Sequence, residues 1–243
     1  SQLVFSYAKT IDPNILCVAG GPEPPFNMDK RRDYLLTRKD IDFYVYGEGE
    51  MPFFLLLEKI LTLPQSLWSE EIQGIISIQR DTSSILCGSS IDRLSDLDYL
   101  PSPYLTGILD KFLDGSYAPS IETTRGCPYS CAYCVVGKPI FNKINRFSIG
   151  RIKDELYYIA KKMKNHPNVL LLVCDSNFCM YKQDEEIVEY MAFLFKKFNW
   201  PNNFCVTTGK SCYDRIIRLN DLLDNKIQIN FGMQSLNPDT LNV

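Results

Sequence analysis

An α/β fold is what the sequence predicts. Three observations carry that expectation: short apolar runs that end in glycine-rich turns, helix-period apolar stripes between them, and a regular strand–helix alternation from Ala118 onward. Parallel βα units of this kind build an open sheet or a barrel. The chain opens on Leu3, Val4, Phe5 and Ala8, the pattern of a helix already under way, with no initiator methionine. It stops at Val243, soon after a fourth strand, where a closed barrel needs more. A fragment of a longer protein is therefore expected.

Residues 15–19 form an apolar run closed by Gly20, Gly21 and Pro22, a buried strand meeting a tight turn. Residues 41–46 repeat the idea before Gly47, Glu48, Gly49 and Glu50, and Pro52 then suits the first turn of a helix over 52–61. Ile75, Ile76 and Ile78, with Ile85 and Leu86, flank residues 80–84 as a hairpin. Residues 88–117, with Pro101 and Pro103, read as a surface linker. Next comes a strand over 120–124, then a helix over 151–164 with Ser148 as a nearby cap and Ile152, Leu156, Ile159 and Met163 on one face. Strands at 169–174, 204–208 and 227–233 alternate with helices at 184–198 and 213–223.

The chain has 243 residues, 45% of them hydrophobic and 23% charged, the balance of a globular protein with a real core. Its formal net charge of −3 gives no basic excess to advertise a nucleic-acid partner. No apolar run nears the roughly 20 residues of a membrane span, and residues 1–10 carry no secretory signal, so a cytoplasmic location is expected. Nine cysteines is an odd number in a chain of this length, which argues against a disulfide framework and raises the question of metal binding.

Cys127, Cys131 and Cys134 stand in eight residues directly after a strand, where α/β folds place their ligand sites. Three thiolates from one loop can hold three corners of an iron–sulfur cube and leave the fourth iron open to a small molecule. A structural zinc site would want a fourth protein ligand, and the only histidine, His166, sits beside Pro167 at a helix end as an expected surface residue. Buried free thiols would need no spacing at all. The spacing favours the cluster.

The stretch from Thr123, Thr124, Arg125 and Gly126 through Cys134, with Tyr133 in the aromatic slot before the last cysteine, resembles the opening of a radical S-adenosylmethionine (radical SAM) enzyme. The resemblance implies a loop after the first strand of a partial βα barrel, a four-iron, four-sulfur cluster on the three cysteines, and an open iron that chelates S-adenosylmethionine. One-electron cleavage then gives a 5′-deoxyadenosyl radical, with the cofactor doing the hard chemistry. Asp175, Ser176, Asn177 and Phe178 resemble the family stretch that meets the amino end of S-adenosylmethionine, without its Gly-Gly-Glu form, and ordinary turn chemistry is the alternative for Asp175 and Asn177. Gln234 and Ser235, after Gly232 and Met233, resemble the ribose-side segment; a plain strand end is the alternative.

Residues 17–22 and 42–50 resemble the last two strands of the Rossmann-like cobalamin-binding domain that precedes the barrel in one large subgroup, and residues 94–103 its connector. Gly20, Gly21, Gly47 and Gly49 would let backbone approach cobalamin, or are simply sheet turns. The subgroup's Asp-x-His-x-x-Gly motif is absent from the sequence. The expected organisation is thus the C-terminal part of a cobalamin-binding-like domain over 1–65, a hairpin and linker over 66–117, and an incomplete radical SAM partial barrel over 118–243. The resemblance implies cobalamin-dependent methyl transfer or rearrangement on a small-molecule or peptide substrate, with flavodoxin or ferredoxin as electron donor. A methylthiotransferase is the alternative, as is a non-catalytic iron–sulfur or zinc module. The remaining cysteines are expected to pack as small hydrophobes, with Cys179 the one that could face substrate.

Overall fold

The computed structural model describes residues 2–21, 28–64, 68, 70–79, 84–230 and 235–241. The chain divides into two units, Ser1–Arg93 and Leu94–Val243.

The first unit runs α1 (Gln2–Ile11), β1 (Val18–Gly20), α2 (Met28–Leu36), β2 (Phe43–Val45), α3 (Glu50–Thr62), β3 (Ile75–Gln79) and β4 (Ser84–Cys87). Its sheet has the order β1-β2-β3-β4, with β1 and β2 parallel and the rest antiparallel, so the expected hairpin extends this sheet. The central strand β2 is buried along its whole length and sorts its side chains by the two-residue period of a strand. Phe43 and Val45 pack with Leu56 of α3, and Tyr44 packs with Leu35 of α2. The helix α2 had no apolar stripe to announce it.

The second unit opens with short 3₁₀ turns at Leu97–Tyr99 and Asp110–Phe112. It continues through β5 (Ser120–Ile121), β6 (Thr124–Arg125), β7 (Asn145–Arg146), α4 (Ile149–Met163), β8 (Leu171–Phe178), α5 (Lys182–Phe198), β9 (Phe204–Thr208), α6 (Tyr213–Leu222), β10 (Ile227–Asn230) and α7 (Pro238–Leu241). Its main sheet, β10-β9-β8-β5, is parallel throughout. The inward side chains Leu171, Val173, Phe204, Val206 and Ile227 meet the helical stripes Ile152, Leu156, Ile159 and Met163 of α4, Ile187, Met191 and Leu194 of α5, and Ile216 and Leu219 of α6 in one core. Ser148 caps α4 by accepting from Arg151 N at 3.2 Å, as its position foretold. No helix among the described residues is long and apolar enough to cross a membrane.

Two expectations change here. The single strand over 120–124 is in fact two: β5 joins the parallel sheet, while β6 turns away to pair with β7. The cause is Asp175, whose carboxylate captures Thr123 between the two pieces. The strand expected to end at 174 runs to Phe178, and between its pairs Val173–Val206 and Phe178–Thr208 the ladder with β9 slips, leaving residues 174–177 bulged. Of the strand expected over 227–233, the last three residues lie outside the described residues.

Candidate active site

The antiparallel pair β6–β7, with Thr124 opposite Arg146 and Arg125 opposite Asn145, closes the base of a loop that carries all three clustered cysteines. Gly126 follows β6 with φ of +116°, and a β-carbon there would lie 2.5 Å from Lys143 O and 2.9 Å from Phe141 O. Only glycine lets the two limbs of the loop touch at this point. Cys127 N then donates to Phe141 O at 3.0 Å. Farther out the backbone curls on itself: Cys134 N donates to Cys131 O at 3.0 Å, Gly137 N to Cys134 O at 3.1 Å, and a β-carbon on Gly137 would strike Cys131 O at 2.5 Å. The three thiols are free and half-buried along this loop.

Neighbouring strand ends reach the loop. Asn177, on the β8 bulge, donates from Nδ2 to Cys127 Sγ at 3.2 Å. After β9, Lys210 Nζ lies 3.2 Å from Cys131 Sγ and 2.7 Å from the Tyr133 hydroxyl. These contacts, Lys210 first and Tyr133 second, pull the Cys131 thiol below its usual range, and Tyr133 with Cys131 raises the lysine. The Tyr129 hydroxyl lies 2.7 Å from Ser211 Oγ and donates to Met180 Sδ at 3.3 Å. Charge-assisted donors of this kind stabilise a thiolate over a thiol.

The structure places the expected residues unevenly. Tyr133 sits at the loop, exposed, with its hydroxyl on Lys210. Asn177 touches a cysteine directly. Asp175 is buried and its carboxylate is turned to the root of the loop, where Thr123 N donates to Oδ1 at 2.7 Å and Thr123 Oγ1 donates to Oδ2. Burial pushes this carboxyl up to about 6, against the lowering effect of those hydrogen bonds. Its geometry is that of a group orienting the strand-to-loop turn rather than one reaching outward. Ser235 is half-buried and accepts from Asn237 N at 3.0 Å; Gln234 lies outside the described residues. Cys179, expected as a possible substrate contact, is wholly buried and its thiol is pushed up to about 12 by desolvation, the behaviour of a packing residue. His166, expected at the surface, is half-buried against Gly115.

Lys210, Tyr129, Ser211 and the orienting part of Thr123 were missed in the sequence. The available signal was position: residues 209–211 follow a strand of the same parallel sheet, and so emerge at the same end as the cysteine loop.

Among the described residues no three His, Cys, Asp or Glu side chains converge closely enough to hold a single metal ion. A cluster asks something different, because each thiolate binds its own iron and the three need only surround the cube. Three soft donors on one loop, two of them already receiving N–H bonds, fit such a group.

In the first unit Gly20 and Gly21 end β1, and Gly47 and Gly49 follow the parallel neighbour β2, so all four lie at the carboxyl ends of adjacent strands. Gly21 and Gly47 have φ of +114° and +79°, and a β-carbon on either would meet nothing within 4 Å. Gly20 and Gly49 stand in ordinary contact with Val45. Tyr44 donates to Gly21 O at 3.2 Å, and the Arg93–Glu48 ion pair at 2.7 Å pins the second turn. An apolar cavity of about 1020 Å³ lies along β1, between Phe5, Val18, Gly20, Val45 and Phe53.

A parallel βα sheet with a trio of thiols on the loop after its first strand agrees with the partial barrel that the sequence resemblance implies. No family model matches the chain, but relatives do. It is 30% identical over 247 residues to the cobalamin-dependent radical SAM methyltransferase TokK of Streptomyces tokunonensis, and 30% identical over 248 residues to the 2-(S-pantetheinyl)-carbapenam-3-carboxylate methyltransferase of Streptantibioticus cattleyicolor. Each match takes in 98% of this chain and 35% of the relative, so the chain spans about a third of the length of these curated proteins. Among solved structures, the cobalamin-dependent S-adenosylmethionine radical enzyme OxsB superposes with a TM-score of 0.62 at 16% identity, over 99% of this chain and 34% of that one. The methyltransferase TsrM of Kitasatospora setae gives 0.65 at 15%, over 99% and 45%. Over nearly its whole length the chain is thus similar in sequence to cobalamin-dependent radical SAM methyltransferases, and its fold matches that of the solved enzymes.

Proposed function

We propose that this chain carries the cluster-bearing part of a cobalamin-dependent radical SAM methyltransferase. The observation that supports this most is the loop that carries Cys127 at its base and Cys131 and Cys134 on its outer turn, while Asn177 and Lys210 donate to two of the sulfurs. In this reading the three thiolates hold a four-iron, four-sulfur cluster and leave one corner for the amino and carboxylate groups of S-adenosylmethionine. When bound, that cluster supplies the electron that cleaves the sulfonium.

The chain's own residues prepare the place. Asp175 fixes Thr123 and so aims the root of the loop; Asn177 orients Cys127. Tyr133 and Ser235 flank the S-adenosylmethionine side, the role the sequence resemblance also gives to Gln234. Gly20, Gly21, Gly47 and Gly49 offer a backbone edge, clear of side chains at Gly21 and Gly47, to cobalamin. The electron comes from a flavodoxin or ferredoxin in a reducing cytoplasm, and the acceptor of the methyl group is a small molecule or peptide. Methyl transfer is preferred over rearrangement because both 30%-identical relatives bear the name of methyltransferases.

The test is anaerobic reconstitution of the protein with iron and sulfide, then reduction in the presence of cobalamin and S-adenosylmethionine. The expected result is about four irons per chain and release of 5′-deoxyadenosine or of the demethylated nucleoside. Zinc or iron bound without either nucleoside would reduce the protein to a binding module.

A further inference from the structure

The segment after β9 is built to deliver a cation to the cysteine loop. Gly209 lies against Met180 so closely that a β-carbon would come within 2.9 Å of that side chain, which fixes the backbone on one side. Ser211 is held on the other by the Tyr129 hydroxyl at 2.7 Å, and Tyr129 itself rests on Met180. Lys210 therefore stands between two anchored residues, independently of its own contacts, and its ammonium bridges Cys131 Sγ at 3.2 Å and the Tyr133 hydroxyl at 2.7 Å. The two partners flank Ala132, so one side chain spans the turn that presents the middle thiolate.

We propose that Lys210 is a positioning residue for the cluster: it pins the Cys131–Tyr133 turn and places a positive charge at the Cys131 sulfur, so that it both retains the iron and raises the cluster's reduction potential. The proposal rests on the cluster reading above. Its physics is that an N–H donor or cation at a ligand sulfur stabilises the more negative, reduced cluster more than the oxidised one. Tyr133 is then the second arm of the same clamp, and its hydroxyl orients the ammonium toward sulfur.

The test uses the reconstituted protein beside Lys210→Met and Lys210→Arg, each followed by iron release to a chelator and by potentiometric titration of the cluster's absorption, neither of which needs turnover. Lys210→Met is expected to release iron about fivefold faster, the size of a partly exposed charge contact, and to move the midpoint to more negative potential; Lys210→Arg is expected to restore most of both. Unchanged release and midpoint in Lys210→Met, beside an intact wild-type cluster, overturn the proposal alone. The same unchanged pair with weakened S-adenosylmethionine binding also overturns it, and makes the lysine a contact of that molecule's carboxylate instead. A wild-type protein that takes up no iron and sulfide overturns the cluster reading, and this inference with it.

Discussion

The two sheets end in opposite kinds of edge. In the first unit the carboxyl ends of β1 and β2 present glycine backbone, with left-handed φ at Gly21 and Gly47 and no side chain near enough to touch an added β-carbon at either. In the second unit the loop after β6 is dense with side-chain donors, and glycines there are needed because backbone already crowds them, as at Gly126 and Gly137. In the function proposed above, one edge would receive a ligand by staying empty, the other by arranging soft atoms around a site. The contrast teaches that the same residue type serves access in one sheet and close packing in the other.

Four experiments put this contrast at risk. The largest effect is expected from Cys131→Ala, which should leave iron content near background and abolish nucleoside release, measured by iron assay and chromatography after reconstitution. Were both to persist, the second edge would not be a thiolate site. Asp175→Ala should come next: it strips the partners from the buried Thr123 N–H and hydroxyl, costing about 2–3 kcal/mol in urea unfolding, and loosens the loop root so that iron is retained less well. Asp175→Asn, which keeps an acceptor, should recover part of both.

The third prediction concerns pH. Asp184, at the start of α5, is raised from 3.8 to about 7, first by burial and also by the charge of Asp175, while its bond from Tyr181 N opposes the shift. The folded chain therefore keeps this proton where the unfolded chain has released it, so stability is fuller near pH 4 and declines as pH rises toward 7. On the order of 3 kcal/mol should be lost across that window, read from urea midpoints, and Asp184→Asn should flatten the slope. The smallest effect belongs to Gly47→Ala, where φ of +79° costs about 1 kcal/mol. It should weaken cobalamin binding, followed by the absorption of the bound corrin, without changing iron content. A change in iron content would break the separation between the two edges.

Legibility in the sequence followed the physics of each element. The helices α4, α5 and α6 were plain because a 3.6-residue apolar stripe is written in Ile152, Leu156, Ile159 and Met163 and their counterparts. β9 was found at its observed limits because it is short, apolar and bounded by turns. α2 was invisible, for its residues are mostly charged and its burial comes through a few positions such as Leu35. The break between β5 and β6 was hidden as well, since it depends on Asp175, fifty-two residues away in sequence. At the site, Cys127, Cys131 and Cys134 were legible because ligands from one loop must be close in sequence. Lys210 was not: it reaches Cys131 across seventy-nine residues, and nothing but the sheet's parallel order brings the two together.

The ladder of β6 and β7 roots residues 126–144 in two residue pairs, and beyond them the thiol-bearing segment is tied to the sheet by single side chains such as Asn177 and Lys210. Substitutions along its outer limb, away from those ties, leave the packing of the helices beneath untouched. Chemistry and architecture are free to drift at different speeds.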